Sequence, residues 1–247
     1  MNMQVRSVVR GAALVVALAL ASTLSPPSPS VSPTSHSSTT SASAPATGAP
    51  ASAETAAAPV ATVPYAGTVY LTFDDGPHPT WTPQVLALLQ KYGARAVFFE
   101  IGQNVATYPS LTRSLRSAGM LIGNHTWSHP DLTTLSTSSV SSQLSRMETA
   151  LGYRPRCVRP PYGATSTRIA TIIADRGQRQ ILWTVDPRDW SRPGTWTIVT
   201  RVLTAVRPGA RILLHDGGGD RSQTVAALDL LIPRLRERGY VIGLMAC

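Results

Sequence analysis

The sequence predicts an α/β fold in which helices cover a parallel sheet. Seven short apolar runs, rich in β-branched and aromatic residues, alternate with helix-like stretches from residue 64 to the C-terminus. Such alternation is typical of βα units. Asp or His residues follow directly after several of these runs, so polar side chains gather at the carboxyl ends of strands. A parallel barrel builds its active site at that end.

The strands and helices are assigned from periodicity and turn residues. Short continuous apolar runs are typical of strands that are buried on both faces. The predicted strands cover residues 69–73, 96–101, 120–123, 157–159, 180–185, 211–214 and 240–245. The predicted helices cover residues 83–91, 111–118, 140–151, 168–175, 197–206 and 224–238. No internal repeat or second domain interrupts this alternation.

Two carboxylates follow the first predicted strand. Asp74 and Asp75 come directly after residues 69–73, and Gly76 and Pro77 then force a turn. Adjacent carboxylates at the end of a buried strand repel each other, unless a cation lies between them or one takes part in acid/base chemistry. The alternative is an ordinary Asp-Gly turn with a solvated neighbour.

Two histidines follow the third predicted strand. His125 and His129 are four residues apart, a spacing that places both rings on one side of a helical turn, and Pro130 ends that turn. Together with Asp75 they form a His₂Asp set, which leaves coordination positions for water and substrate, as catalytic metal sites do. The alternative is one buried core histidine and one surface histidine.

Five motifs of the chain resemble, in the same order along the sequence, those of the polysaccharide deacetylases of carbohydrate esterase family 4. The domain of this family is called the chitooligosaccharide deacetylase homology domain. The resemblance extends from about residue 67 to the C-terminus. It implies a distorted (β/α)₇ barrel that forms a single catalytic domain, residues 64–247. The motifs are residues 72–77, 125–130, 159–163, 186–190 and 213–216.

The resemblance implies a metal centre and a general base. Asp75, His125 and His129 would bind one divalent ion, with zinc first and cobalt or nickel as alternatives. Asp74 would be the general base that deprotonates the attacking water. Arg159 would hold the carboxylate of Asp74 and keep it ionised.

The remaining motif residues resemble those that stabilise charge and bind substrate. The backbone N–H of Tyr162 would stabilise the oxyanion and line the substrate site. His215 would protonate the leaving amine, and Asp189 would tune it. Trp190 and Leu213 would form the apolar wall that receives the acetyl methyl group. Without the other motifs, Arg159 is equally explained as a surface cation, and Trp190 as an ordinary residue of the hydrophobic core.

The resemblance implies a metal-dependent deacetylase that hydrolyses N-acetyl groups of N-acetylglucosamine in peptidoglycan or chitin-type glycans. Amide hydrolysis must stabilise an oxyanion and protonate the nitrogen before it leaves, and the implied residues serve both needs. An acetylxylan esterase and a catalytically silent glycan-binding protein on the same fold are the alternatives. The chain contains no Gly-x-Ser-x-Gly elbow, which disfavours a serine esterase.

The N-terminal residues predict export. Residues 1–21 resemble a signal peptide, with Arg6 and Arg10 before an apolar run that is shorter than the roughly 20 residues of a good membrane span. Residues 22–63 are almost entirely Ala, Ser, Thr and Pro, which predicts a disordered linker. We therefore expect a secreted or cell-wall-associated protein, with an uncleaved anchor as the alternative.

Charge and cysteine content fit that compartment. The net charge is +9, and loss of Arg6 and Arg10 with the leader lowers it by two to +7. A basic surface favours an anionic cell wall or membrane surface, although a solvated face without a partner explains it equally well. No aromatic-basic motif indicates nucleic acid. Cys157 and Cys247 predict a disulfide.

Overall fold

The structure is a computed structural model that describes residues 64–247. The predicted signal peptide and linker therefore lie outside the described residues. The strands are β1 (Gly67–Asp74), β2 (Ala96–Glu100), β3 (Leu121–Asn124), β4 (Cys157–Val158), β5 (Arg179–Gln180), β6 (Arg211–His215) and β7 (Tyr240–Gly243). The helices are α1 (Trp81–Lys91), α2 (Gly102–Thr107), α3 (Pro109–Ser117), α4 (Thr137–Leu151), α5 (Thr167–Asp175), α6 (Thr195–Ala205) and α7 (Ser222–Glu237).

The strands form one parallel sheet that curls into a distorted barrel. The order is β5-β4-β3-β2-β1-β6, and β7 pairs with the first half of β1. The two ends of the sheet approach each other at a parallel bridge between Val185 and Ile212 of β6. There the backbone N–H of Leu213 donates to the carbonyl oxygen of Val185 at 2.9 Å. The predicted α/β distorted barrel is confirmed.

All six predicted helices are present, with ends that differ by at most three residues. Helix α2 was not predicted. It has only six residues, which are too few to show an amphipathic period, and no side chain caps its start. The predicted strand at residues 180–185 is wrong in length. Only Arg179–Gln180 belongs to β5, and the chain rejoins the sheet at Val185. Between them Trp183 turns its ring against Gly163.

The core lies between the sheet and the helices and fixes β1 at its centre. Phe73 of β1 stacks on Phe98 of β2 with ring centroids 5.0 Å apart. Helix α7 adds Leu228, Leu231 and Leu235, which are fully buried and spaced for one helical face. Because β1 is packed on both faces, the carboxylates at its end have little freedom to move.

A disulfide joins β4 to the C-terminal residue. Cys157 and Cys247 are bridged, as predicted, across a sequence separation of 90 residues. A loop of that length restricts the unfolded chain enough to contribute about 4–5 kcal/mol in the chain-entropy treatment. Within residues 64–247, no helix combines the length and apolar character that a membrane crossing requires.

Candidate active site

The parallel sheet brings residues that are distant in sequence to one edge. Asp74 ends β1 and His215 ends β6, and the two residues are register partners. His125 directly follows β3, and Arg159 directly follows β4. Most of the predicted site residues line one cleft of about 370 Å³, namely Asp74, Asp75, His125, His129, Tyr162, Trp190, Leu213 and His215. Arg159 and Asp189 lie behind its wall.

Asp75, His125 and His129 form a candidate metal centre. Asp75 Oδ1 lies 3.5 Å from His125 Nε2 and 3.2 Å from His129 Nε2, and the three ligand atoms lie within 4.8 Å of one another. Two ligands of a tetrahedral ion at about 2.1 Å are separated by roughly 3.4 Å. Asp75 Oδ1 is also buried without a hydrogen-bond partner in the described chain. These residues therefore fit a divalent ion.

The histidine rings are held with Nε2 towards Asp75. His125 Nδ1 lies 2.7 Å from the carbonyl oxygen of Arg159, which can only accept, so His125 carries its proton on Nδ1. His129 Nδ1 lies 3.1 Å from the hydroxyl of Tyr162. A partner on Nδ1 leaves the Nε2 lone pair free for an ion, an arrangement common to metal-binding histidines.

The predicted helical turn at His125 and His129 is wrong. The chain bends there, and Thr126 and His129 have left-handed φ values of 69° and 61°. Polar side chains hold this bend: the Thr126 N–H donates to Asn124 Oδ1 at 2.8 Å, and the His129 N–H donates to Thr126 Oγ1 at 3.0 Å. The two rings still meet, with centroids 4.9 Å apart.

Burial and mutual charge act on the pKa values of this centre. Burial raises the pKa of Asp75, but the interaction with His125 at 3.5 Å, together with the charges of His215 and His129, outweighs it and leaves the pKa well below its usual value. Burial and the neighbouring His125 lower the pKa of His129. An ionised carboxylate and a neutral imidazole are the forms that bind a metal ion.

Asp74 is held by a buried arginine. Arg159 is fully buried, and its NH1 donates to Asp74 Oδ1 at 2.6 Å and to Thr72 Oγ1 at 3.0 Å. Burial lowers the pKa of Arg159, and the Asp74 carboxylate opposes that shift. Asp74 Oδ2 lies on the other side, 3.7 Å from His125 Nε2. One carboxylate oxygen is therefore fixed from behind and the other faces the metal centre.

His215 is held by a buried carboxylate. Its Nδ1 lies 2.7 Å from Asp189 Oδ1, while Asp189 Oδ2 accepts from the His215 backbone N–H at 2.9 Å and from Thr224 Oγ1 at 2.8 Å. Burial lowers the pKa of His215, but the hydrogen bond and charge of Asp189 outweigh it and raise the pKa overall. His215 therefore favours the protonated imidazolium more than a free histidine does.

Comparison with known proteins identifies the family. The profile described as polysaccharide deacetylase matches residues 63–181. A chitooligosaccharide deacetylase of Sinorhizobium fredii is 44% identical over an aligned length of 194 residues, and the alignment covers 72% of this chain and 89% of that protein. The chain belongs to the polysaccharide deacetylase family.

Two further proteins match this chain over a similar length. A peptidoglycan-N-acetylglucosamine deacetylase of Bacillus cereus is 40% identical over an aligned length of 177 residues, and the alignment covers 70% of this chain and 83% of that protein. The solved structure of a family 4 carbohydrate esterase from Streptomyces lividans, in complex with acetate, aligns with a TM-score of 0.68 at 36% identity. It covers 73% of this chain and 93% of that one. The fold assignment therefore rests on experimental structures as well as on sequence.

The rim and walls of the cleft are aromatic and apolar. Tyr162 lies in a tight turn with a left-handed φ of 61°, and its side chain is 68% exposed at the rim. Trp190 is 46% exposed, whereas Leu213 is buried. All three line the cleft beside the metal centre. This arrangement offers an apolar surface to a small methyl-bearing group.

Several supporting contacts of the site were not predicted from the sequence. Trp183 also lines the cleft, as does Asp186 of the fourth motif, whose Oδ1 accepts from the Arg188 backbone N–H at 2.7 Å. The side-chain hydroxyl of Tyr162 supports His129, and Thr224 supports Asp189. The Thr224 contact joins residues 35 apart in the chain, so no local pattern could indicate it.

Proposed function

We propose that this chain is an exported, metal-dependent deacetylase that hydrolyses N-acetyl groups of N-acetylglucosamine residues in peptidoglycan or chitin-type glycans. Its main support is the pair of oppositely arranged ion pairs, Asp74–Arg159 and His215–Asp189, at the cleft that holds the candidate metal centre. The names of the relatives, a chitooligosaccharide deacetylase and a peptidoglycan-N-acetylglucosamine deacetylase, support the substrate class.

Water attack on the acetyl carbonyl depends on Asp74 as the base. When bound by Asp75, His125 and His129, a divalent ion supplies a Lewis acid that polarises the carbonyl and activates water. Zinc suits this nitrogen and oxygen donor set, and cobalt or nickel also fit it. Asp74 takes the proton of the attacking water on Oδ2, because Oδ1 is engaged by Arg159.

Departure of the amine depends on His215 as the acid. An amide nitrogen must be protonated before it can leave, and the raised pKa of His215 keeps a proton available. Its Nδ1 is bound to Asp189, so Nε2 is the atom that donates. The backbone N–H of Tyr162 stabilises the oxyanion, and Trp190 and Leu213 hold the acetyl methyl group.

The test is acetate release by the purified full-length protein. Chitooligosaccharide, peptidoglycan and acetylxylan are each assayed as prepared, after chelation, and after Zn²⁺ is added back. We expect release from the two N-acetylated substrates that stops with chelator and returns with metal. Release from acetylxylan alone would indicate an esterase. No release despite one bound ion per chain would indicate a glycan-binding protein.

Export is tested separately from activity. The composition of residues 1–21 supports a cleaved leader. N-terminal sequencing of the exported protein is expected to start at Ser22. A chain that starts at Met1 and sediments with membranes would show that the leader is kept as an anchor.

A further inference from the structure

A second cavity opens at the opposite end of the barrel. It measures about 560 Å³ and is therefore larger than the catalytic cleft. Arg95 immediately precedes β2, Met120 precedes β3 and Arg156 precedes β4, so this cavity lies at the amino ends of the strands. The catalytic cleft lies at the carboxyl ends, roughly 16 Å away along the five residues of β2.

The rim of this cavity is strongly basic. Among the described residues that line it there are four arginines, namely Arg95, Arg116, Arg154 and Arg156. The lining contains no Asp or Glu side chain, and the terminal carboxyl group of Cys247 is the one acidic group set against the four guanidinium groups. Two of the four already have partners: Arg154 pairs with Glu148 at 3.1 Å, and Arg116 stacks on the ring of Tyr153 at 4.6 Å. Within residues 64–247, the side chains of Arg95 and Arg156 make no hydrogen bond or ion pair.

The floor of the cavity is apolar. Met120 and Ile122 are buried there, and Leu244 closes one side. The aliphatic part of Arg95 passes over Gly119, where an added Cβ would lie 3.6 Å from Arg95 Cδ. Exposed arginines on a flat surface are solvated, but a concave surface with low-dielectric walls concentrates their field. The site therefore suits a ligand that joins an anion to a hydrocarbon or sugar portion.

We propose that this basic pocket, defined by Arg95, Arg116, Arg154 and Arg156, binds a phosphodiester group of an anionic polyol or glycan polymer. The guanidinium fork matches phosphate oxygens in a bidentate manner, which favours phosphate over a single point charge. The apolar floor contacts the carbon skeleton next to the phosphate. Because the pocket and the cleft open at opposite ends of the barrel, the polymer anchors the protein and leaves the cleft free.

The test measures binding of a synthetic glycerol-phosphodiester tetramer to the full-length protein by titration calorimetry. The double variant Arg95→Glu, Arg156→Glu removes the two arginines without partners. The control Lys91→Glu, Arg236→Glu changes the net charge equally at exposed positions outside the pocket. We expect Kd to rise by about tenfold or more in the pocket variant and by less than about threefold in the control. Acetate release from chitooligosaccharide should be unchanged in both.

Three outcomes would overturn the proposal. No binding of the tetramer by the unmodified protein would show that the pocket is not a phosphodiester site. An equal loss of affinity in both variants would show an effect of net charge alone. A tetragalacturonate probe that binds as tightly as the phosphodiester would show that the pocket does not select phosphate. Circular dichroism checks the fold of each variant. If the charge reversal prevents folding, Arg95→Gln, Arg156→Gln is used with the same criterion of selective loss.

Discussion

Two ion pairs lie at the cleft of the metal centre with their charges in opposite order. In the first, the carboxylate of Asp74 faces the cleft and the cation of Arg159 lies behind it. In the second, the imidazole of His215 faces the cleft and the carboxylate of Asp189 lies behind it. Arg159 fixes the Asp74 carboxylate from behind by a hydrogen bond, whereas Asp189 raises the pKa of His215 against the effect of burial and so favours its protonated form. The reversal lets one site hold a proton acceptor and a proton donor at the same pH.

The two pairs also differ in how they are built. Arg159 directly follows β4. Its guanidinium carbon lies 4.1 Å from the centroid of the Phe99 ring of β2, and its NH1 donates to Thr72 Oγ1 of β1 at 3.0 Å. Asp189 is held more locally, by His215 itself and by Thr224 at the start of α7. The first pair therefore depends on the packing of three strands. We expect its loss to damage both turnover and folding, whereas loss of the second should mainly affect turnover.

Removal of Arg159 should give the largest effect. Arg159→Met leaves Asp74 buried without its cation, so kcat should fall about 10³-fold. The free energy of unfolding should fall by about 3–5 kcal/mol, since one partner of a buried ion pair is lost. Acetate release and urea unfolding measure the two quantities, with the exposed Arg236→Met as the control. A loss of kcat below tenfold would mean that Asp74 does not need Arg159.

Removal of the Asp189 charge should give an intermediate effect and a change in pH dependence. Asp189→Asn should lower kcat about 10²-fold. The charge of Asp189 supports the raised pKa of His215, so its loss lowers that pKa. Protonated His215 is then lost at a lower pH, and the alkaline limb of the kcat profile should move to lower pH. An alkaline limb that does not move would contradict the assignment of His215 as the acid.

The same ion pair should affect stability with a defined sign. The pKa of His215 is raised in the folded chain, so protonated His215 stabilises the fold at pH values below the usual histidine pKa. That contribution is lost as the pH rises through the raised value. The difference in unfolding free energy between the unmodified protein and Asp189→Asn should therefore shrink towards alkaline pH in urea titrations. A difference that grows with pH would contradict it.

Removal of the supporting hydroxyls should give the smallest effects. Thr72→Val removes one partner of Arg159, and Thr224→Val removes one partner of Asp189, while both ion pairs remain. Each variant should lose about 1 kcal/mol of unfolding free energy and only a few-fold in kcat. The two variants serve as controls for each other. A thousandfold loss of kcat from Thr72→Val would show that the hydroxyl, and not the ion pair, positions Asp74.

The strands that carry the site could be predicted, because each is a short apolar run that ends at a polar motif. Asp74 and His215 are neighbours in the structure because parallel strands present their carboxyl ends at one edge of the sheet. The bend at His125 and His129 could not be read from their spacing, which suits a helical turn equally well. Its geometry depends on left-handed residues held by Asn124 and Thr126.

The other differences arise from tertiary contacts. Residues 180–185 have the apolar character of a strand, but only the two ends of this segment pair with strands. Gln180 pairs with Val158 of β4 and Val185 pairs with Ile212 of β6, whereas residues 181–184 belong to no strand. Trp183 instead packs against Gly163, where the ring lies 2.8 Å from the position of an added Cβ. Packing of this kind depends on residues that are distant in the sequence, so no local sequence pattern predicts it.

The most direct test of the reversed ion pairs compares Asp74→Asn with His125→Ala. Bound metal per chain is measured by atomic emission spectroscopy, and kcat is measured on chitooligosaccharide with the same preparations. Asp74→Asn should keep one ion per chain and lose about 10³-fold in kcat, because a general base is removed and the ligand set stays intact. His125→Ala should lose both. Equal loss of metal in the two variants would make Asp74 a ligand and contradict its assignment as the base.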